Sequence, residues 1–354
     1  MLSVASVRRR RRSGSVKEGE LEATITLAHG SGGRLTAELV ESLFVAAFDD
    51  DAGREMDDAA VLESGEGRPA LTTDAFVVKP RFFPGGDIGH LSICGTVNDL
   101  VVCGARPVAM TAAFVLEEGL AITELKQIAA SMAATARRAG VRLVAGDTKV
   151  VERGSGDGVY VCTTGYGLVD KALQLGVGRI RPGDVLLVSG DVGRHEAAIL
   201  LARGEIGFSA PLESDCALLD GEARALMASA GEGLRVMRDC TRGGLATVLC
   251  EFAAGSGREL VIEGAAVPVA PAVEAVCELL GLDPLYLACE GRLTAVVAPE
   301  AADAALAALK SCAPGAARIG RVGDAERPRL LLETGIGGRR VLDRLAGGQL
   351  PRIC

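Results

Sequence analysis

The sequence predicts an α/β or α+β protein of two domains, on three observations. The chain has 354 residues, more than one hydrophobic core usually holds. Short apolar β-like runs alternate with helical patterns along most of its length. A Pro-Gly-Asp turn in RIRPGD (179–184) precedes a new apolar strand, VLLVSG, and marks the boundary between two halves.

The expected domains are 23–170 and 171–340, flanked by an N-terminal extension and a C-terminal tail. Residues 1–22 show no periodicity and contain five consecutive arginines, so they predict a disordered basic extension, with an RNA-binding arm as the alternative. Residues 341–354 end in LAGGQLPRIC, which offers little apolar surface, so a flexible tail is expected.

In the first half, apolar residues at helical spacing predict helices over 35–48, 88–104 and 124–140. Between them, β-like runs predict strands in AAVLES, PALTTDAFVV, MTAAFVLEE, VRLVAGDTKVV and VYVCTTGYGLV. In the second half, VLLVSG, ELVIEGAAVPV and RLTAVVAPE predict strands, and HEAAILLARGE, GLATVLCEFAAGSG and EAVCELLGL predict helices. A further helix and two weak strands are expected in 301–343.

Composition excludes several classes of protein. The chain is 49% apolar and 24% charged, which is typical of a globular protein, and no apolar stretch approaches the ~20 residues of a membrane span. The net charge is −8 although the first 17 residues carry six positive charges, so the body is acidic and is not expected to bind nucleic acid. Ten cysteines without a CxxC pair, mostly in apolar runs, indicate core residues in a reducing cytoplasm.

Acidic side chains recur at the predicted ends of strands and starts of helices in the first half. They are Asp57, Asp58, Asp74, Asp99 beside Asn98, and Asp147. Each could be a helix cap or turn former. Asn98 and Asp99, however, lie within an apolar helical run, where a buried carboxylate needs a partner or a metal. Together these groups suit Mg²⁺ bound by carboxylates and nucleotide phosphates.

Two glycine-rich segments could contact phosphate. AHGSGG includes His29, Gly30, Ser31, Gly32 and Gly33 and offers backbone N–H groups before a helix, although it could be a simple loop. DCTRGGL (239–245) combines an acid, a hydroxyl, a cation and two glycines at a helix start. Neither segment matches the P-loop pattern.

Three residues are candidates for the chemistry itself. Lys149 could neutralise a phosphate or an anionic intermediate, or be a solvent-facing strand residue. Glu290 follows an apolar run and could be a half-buried base with a raised pKa. Cys354 is the last residue, and the 14 residues after Arg340 could span roughly 45 Å when extended, enough to carry its thiol into a pocket.

These segments, in this order, resemble the HypE family of carbamoyl dehydratases, which mature hydrogenases. The family belongs to the superfamily of aminoimidazole ribotide synthetase and selenophosphate synthetase. The resemblance covers about residues 25–354 through LAHGSGG, TTDAFVV, RFFPGGDIGHLSICGTVNDL, GDTKVV, DVLLVSG, RDCTRGG, LLGLDPLYLACEG and the terminal PRIC. It implies a two-domain aminoimidazole ribotide synthetase-like fold, with an N-terminal domain that forms a barrel-like sheet in a homodimer.

The resemblance also implies a reaction. A carbamoyltransferase, HypF, loads a carbamoyl group on Cys354, and ATP-dependent dehydration converts it to a thiocyanate. The HypC–HypD complex then passes it on as a cyanide ligand for the iron of [NiFe]-hydrogenase. ATP and Mg²⁺ are the implied cofactors.

By matching positions, the resemblance assigns roles to individual residues. Asp57, Asp58, Asp74, Asp99 and Asp147 would bind Mg²⁺, and Asp74, Asn98, Asp147 and the loop from His29 to Gly33 would bind ATP. Cys354 would carry the substrate, with Glu290 as the base and Lys149 beside the thiocarbamate. GRHEAA (193–198) departs from the family's Gly-Asp-His-Gly, so His195 receives no role.

Two other functions stay open at this point. One is a thiol carrier whose ATP site only regulates docking of Cys354. The other is a kinase-like enzyme of the superfamily that acts on a small substrate, with the tail incidental.

Overall fold

The computed structural model describes residues 24–31, 34–48, 62, 65–204, 210–335, 337–345 and 353–354. The basic extension, Gly32, Gly33, Asp57, Asp58 and nearly all of the strand expected at 59–64 lie outside the described residues. The expected α/β class is confirmed, with one large sheet in each half of the chain.

The first half forms a four-stranded sheet in the order β1-β6-β4-β5. Its strands are β1 (Arg68–Phe76), β4 (Ala105–Glu117), β5 (Arg142–Val151) and β6 (Val159–Val169). β6 runs antiparallel to β1 and to β4, whereas β4 and β5 are parallel. A short hairpin, β2 (Phe82–Phe83) and β3 (Gly86–Asp87), leads into the first long helix.

Helices cover one face of this sheet. They are α1 (Arg34–Leu39), continued by π-helical residues Val40–Val45 and by α2 (Ala46–Phe48), then α3 (Ile88–Val102) and α4 (Ile122–Ala139). The Asp87 carboxylate caps α3 by accepting from the N–H groups of Gly89 and His90. α3 is buried along nearly its whole length because the sheet lies on one side and the second half of the chain on the other.

The second half forms a seven-stranded mixed sheet in the order β13-β12-β9-β11-β7-β10-β8. Its strands are β7 (Val185–Val188), β8 (Leu234–Asp239), β9 (Glu259–Glu263), β10 (Leu293–Val297), β11 (Ala317–Val322), β12 (Arg329–Glu333) and β13 (Arg339–Leu342). Its helices are α5 (Arg194–Arg203), α6 (Asp220–Ala230), α7 (Gly244–Ser256), α8 (Pro271–Leu280) and α9 (Ala302–Cys312). Buried residues of α6 and α9 pack with Leu187 on one face of this sheet, and those of α7 pack with Leu186 on the other.

The two halves share one hydrophobic core. A single buried cluster runs from the helices of the first sheet through α6 and α9 to one face of the second sheet. The segment 210–219, which has neither helix nor strand, lies along this junction and hydrogen bonds to both halves. The junction therefore has a fixed geometry and can position side chains from both halves.

The structure differs from the sequence expectation in three places. Helix α6 and strand β8 were not predicted, and residues 301–343 hold three strands rather than two. The tail is the third difference, because Ile353 is only 8% exposed and Cys354 contacts the shared core. None of the described helices has the length and apolar character needed to cross a bilayer.

Candidate active site

Three aspartates meet where α3, β1 and β8 come together. Asp74 lies on the face of β1 that is turned toward α3, and Thr72 on the same face donates to Asp99 Oδ2 at 2.6 Å. Gly95 of α3 allows this approach, since a Cβ there would lie 2.9 Å from the Phe76 ring. The third aspartate, the buried Asp239, ends β8.

The protonation of these aspartates reflects their crowding. Burial, followed by the charge of Asp99, raises the pKa of Asp74 to about 6 and that of Asp239 to about 7. Buried carboxylates that lie close together repel one another, so they ionise at the same time only when a positive charge compensates them. Their oxygens are the ligands that Mg²⁺ prefers, so this donor set fits the metal.

Glu290 lies beside the aspartates, in the loop before β10. It is 3% exposed, and its Oε1 makes no hydrogen bond to any residue that the structure describes. Burial raises its pKa well above the ordinary value, and the charges of Asp239, Asp215 and Asp74 raise it further. Gly291 is required next to it, because a Cβ there would lie 1.8 Å from the Asp215 carbonyl oxygen.

The end of the chain enters the same place. Arg242, in the glycine-rich segment after β8, donates from Nη2 to Cys354 Sγ at 3.3 Å. Burial and the charge of Glu290 raise the pKa of the Cys354 thiol to about 11, although Arg242 opposes them. The last residue is therefore a half-buried, protonated thiol near a carboxyl group and a guanidinium.

His195 holds this terminus in place. Its Nε2 lies 2.9 Å from the Ile353 carbonyl oxygen, and its Nδ1 lies 2.7 Å from Ser214 Oγ. Ser214 accepts from the Cys216 N–H at 3.0 Å, so its own hydrogen is free to go to Nδ1 and the Nε2 hydrogen goes to Ile353. Burial lowers the pKa of His195, consistent with this neutral tautomer.

Sequence reasoning assigned no role to His195. Its partner lies 158 residues away, and only the fold brings the two together. His195 was given no role because the residues around it depart from the family motif. That departure lies in the neighbouring residues, whereas the imidazole itself holds the terminus. Arg242 was also not assigned, although RDCTRGG carried a usable signal, a cation among the glycines of a helix start.

Asn98 has a different position from the one expected of an ATP ligand. The side chain is buried, its Nδ2 donates to the Ala217 carbonyl at 2.9 Å, and its Oδ1 accepts from the Leu219 N–H at 2.9 Å. Both ends of the amide are thus used to join α3 to the segment 210–219. The contacts of Asn98 favour a positioning role over direct contact with the nucleotide.

Asp147 and Lys149 form a separate group on β5. They pair at 2.9 Å and are exposed, and the pairing with Lys149 lowers the pKa of Asp147. The β1–β6–β4–β5 register aligns Asp74 with Thr163, Ala112 and Gly146, so Asp147 projects from the opposite face. Three strand spacings, about 14 Å, also separate the two edges. Within one chain, Asp147 and Lys149 do not meet Glu290 or Cys354.

The described part of the glycine loop lies with this second group. A Cβ on Gly30 would stand 2.7 Å from the backbone nitrogen of Val150, so the loop contacts β5 directly. His29 Nδ1 accepts from the Thr26 N–H at 3.0 Å, and Ser31 Oγ donates to the Ala28 carbonyl at 2.9 Å. The candidate residues are thus divided into two groups at opposite edges of the first sheet.

The fold and the placement of these carboxylates define a class. Residues 56–169 match the N-terminal domain of AIR synthase related proteins, and residues 181–333 match their C-terminal domain. The chain is thus a two-domain protein of the AIR synthase related class.

Comparison with individual relatives identifies the family within this class. The chain is 48% identical over 343 residues to the carbamoyl dehydratase HypE of Cupriavidus necator, covering 96% of each protein. It is 45% identical to the carbamoyl dehydratase HypE of Escherichia coli, covering 93% of this chain and 99% of the relative. A crystal structure of HypE in complex with ATP superposes with a TM-score of 0.88 at 44% identity, covering 93% and 99% of the two chains. A crystal structure of a HypE–HypF complex superposes with a TM-score of 0.76 at 44% identity, covering 87% of this chain and 99% of that chain. The chain belongs to the carbamoyl dehydratase HypE family.

Proposed function

We propose that this chain dehydrates a carbamoyl group carried on its own Cys354 and consumes ATP in doing so. The thiocarbamate oxygen attacks the γ-phosphate, the two nitrogen protons are removed, and phosphate leaves with that oxygen. The products are a thiocyanate on Cys354, ADP and phosphate. The nitrile supplies the cyanide ligands of the iron in [NiFe]-hydrogenase.

The observation that carries this proposal is the docking of the chain's own end, with Ile353 buried and Cys354 half-buried, among groups suited to the reaction. The Cys354 thiol contacts Arg242 and lies close enough to Glu290 for the carboxylate to shift its pKa. A group attached to Cys354 would be shielded from water, which protects an activated intermediate from hydrolysis. A terminal cysteine with no function would have no reason to be anchored by a buried histidine.

Glu290 is the base in this proposal. Its Oε1 has no hydrogen-bond partner among the described residues, so the substrate amide can provide one. The raised pKa makes the ionised carboxylate a stronger proton acceptor than that of an exposed glutamate. Positive charge near the carboxylate would lower that pKa, and Arg242 is placed to contribute it.

Asp74, Asp99 and Asp239 would hold Mg²⁺ in this site together with ATP. When bound, the metal neutralises the phosphate oxygens and so assists attack on the γ-phosphate. The raised pKa values of Asp74 and Asp239 are consistent with carboxylates that await a cation. Asp57 and Asp58 are proposed as further ligands on the family resemblance, and they lie outside the described residues.

A homodimer accounts for the second group of candidates. Asp147, Lys149 and the loop from His29 to Gly33 lie at the far edge of the sheet, on or beside its open face. Leu71 on the open face of β1 is 72% exposed, an apolar surface that a second copy would cover. We infer that a second copy brings Asp147, Lys149 and its glycine loop to the Asp74, Glu290 and Cys354 of the first.

Two partners follow from this chemistry. The carbamoyl group must be supplied by a carbamoyltransferase, and the HypE–HypF complex of relatives supports HypF in that role. The nitrile must be passed to an acceptor, for which we propose the HypC–HypD complex. We propose that the protein works in the cytoplasm, in keeping with its ten free cysteines.

Intact mass tests the function. After incubation with the carbamoyltransferase, carbamoyl phosphate and ATP, the protein should gain one carbamoyl group and then lose one water. Cys354→Ser should show neither change while still binding ATP. A carbamoyl adduct that never loses water would favour the thiol carrier, and ATP turnover that persists without Cys354 would favour a small-molecule enzyme.

A further inference from the structure

A second cluster of titratable side chains lies in the junction between the two halves. His90 and Cys94 come from α3, and Cys216 comes from the segment 210–219. One ring nitrogen of His90 and the two sulfur atoms all lie within 4.8 Å of one another. Both thiols are buried, the imidazole is half-buried, and the reaction described above uses none of the three.

The His90 ring is hydrogen bonded to α4 through Thr135 and Arg138, and to the segment 210–219 through the Cys216 carbonyl. Nδ1 lies 2.9 Å from Thr135 Oγ1, whose single hydrogen is donated to the Ser131 carbonyl at 2.9 Å. Nε2 lies 3.1 Å from the Cys216 carbonyl oxygen, which can only accept. Burial lowers the pKa of His90, but the hydrogen bonds and charge of its cysteine neighbours outweigh it and the pKa is raised. The raised pKa favours the imidazolium form of His90.

This imidazolium stabilises a thiolate on Cys94. The sulfur lies 3.6 Å from each ring nitrogen, and the Arg138 guanidinium lies 3.3 Å from Nδ1 and adds positive charge. Against the effect of burial, hydrogen bonds from Cys216 and His90 lower the pKa of Cys94 to about 6. The bond to Cys94 raises the pKa of Cys216 well above its ordinary value. These interactions favour a thiolate on Cys94 and a thiol on Cys216.

We propose that Cys94 and Cys216 form a peroxide-reactive pair that closes into a disulfide between α3 and the segment 210–219. The Cys94 thiolate attacks one oxygen of hydrogen peroxide and releases hydroxide, which leaves a sulfenic acid. The Cys216 sulfur then attacks the Cys94 sulfur, its proton leaves with the hydroxyl group as water, and the S–S bond forms. Two thiols are oxidised and one peroxide is reduced.

The surroundings favour a disulfide over a bound metal ion. Both ring nitrogens of His90 already have hydrogen-bond partners, and the cationic Arg138 next to the ring opposes a second cation. Closing an S–S bond requires the sulfurs to approach to about 2.05 Å. The segment 210–219 is held at the junction by hydrogen bonds and not by a helix or strand, so a small local shift of Cys216 can supply this approach. The disulfide would join the two halves covalently.

Peptide mapping of the full-length protein tests the pair. The protein is treated with hydrogen peroxide near stoichiometry, free thiols are alkylated in denaturant, and tryptic peptides are examined without reduction. We expect the peptide carrying Cys94 joined to the peptide carrying Cys216, and release by dithiothreitol. Cys94→Ser and Cys216→Ser should abolish the product. Cys103→Ser is the matched control, because the Cys94 peptide also contains this exposed cysteine.

A rate measurement tests the role of the imidazolium. His90→Gln should slow disulfide formation at pH 7 at least tenfold, since the thiolate fraction of Cys94 falls when its pKa returns toward about 8.5. An unchanged rate in His90→Gln would overturn the proposal. So would oxidation confined to other cysteines, or stoichiometric zinc in the purified protein that is lost in Cys94→Ser.

Discussion

Replacing His195 by alanine tests whether the buried imidazole holds the chain terminus in the site. In the native protein, Nε2 donates to the Ile353 carbonyl and Nδ1 accepts from Ser214. In His195→Ala, a docked tail would bury that carbonyl without a donor, whereas a released tail would expose it to water. The substitution should therefore shift the tail from docked to released. The loss of the Ser214 partner is common to both states and should affect only the free energy of unfolding.

The magnitude follows from the cost of an unsatisfied buried group. A buried carbonyl without a partner costs about 1–3 kcal/mol, which corresponds to roughly a 5- to 150-fold lower ratio of docked to released tail. His195→Gln retains a side-chain N–H donor and should recover part of this factor. Ser214→Ala leaves the bond to Ile353 in place and is the matched control.

Alkylation of Cys354 measures the released fraction, because the docked thiol is half-buried and has a raised pKa. Samples are taken during reaction with iodoacetamide at pH 8, and digestion at aspartate gives the peptide 343–354 for mass spectrometry. We expect a 5- to 150-fold faster reaction in His195→Ala, by the cost given above, and a nearly native rate in Ser214→Ala. Equal rates in His195→Ala and the native protein would refute the anchoring role.

Three further predictions concern the rest of the site. Asp239→Asn should stabilise the protein by up to about 4 kcal/mol at pH 8 and abolish Mg²⁺-dependent ATP binding. Because the pKa of Asp239 in the folded protein is raised to about 7, ionisation of this carboxyl group lowers the stability of the native protein as the pH rises from about 4 through 7. The stabilisation by Asp239→Asn should therefore vanish at pH 4, as measured by thermal unfolding. Gly291→Ala should abolish thiocyanate formation by displacing Glu290, whereas Gly178→Ala, where a Cβ meets nothing within 4 Å, should not. Mixed Lys149→Ala and Cys354→Ser subunits should recover about a quarter of native activity if the site spans two copies, and none if it lies within one.

Sequence reasoning was most successful where periodicity is strong. The strand 159–169 and the helix over 88–104 were predicted to within two residues, since their apolar runs are long and bounded by glycine or charged residues. The helix α6 and the strand β8 are short and mix charged residues with apolar ones, so neither gave a clear period. Their burial depends on contacts with α3 and α9, which local sequence does not encode.

The candidate site was predicted as a set of residues but not as a geometry. Asp74, Asp99, Glu290 and Cys354 do come together, whereas Asp147 and Lys149 lie at the opposite edge of the sheet. The difference arises from strand order, because β1 and β5 are edge strands separated by β6 and β4. Sequence patterns indicated each strand but not this order. The terminal anchor at His195 depends in the same way on a contact between distant parts of the chain.

The transfer of oxygen from the carbamoyl group to phosphate tests the central claim most directly. Cyanate labelled with oxygen-18 adds to thiols and would load Cys354 without ATP, so that a single turnover can be started by adding ATP and Mg²⁺ after the reagent is removed. The proposed reaction predicts one oxygen-18 atom in inorganic phosphate for each thiocyanate formed on Cys354. Unlabelled phosphate, with the label released as water or retained on the protein, would contradict it.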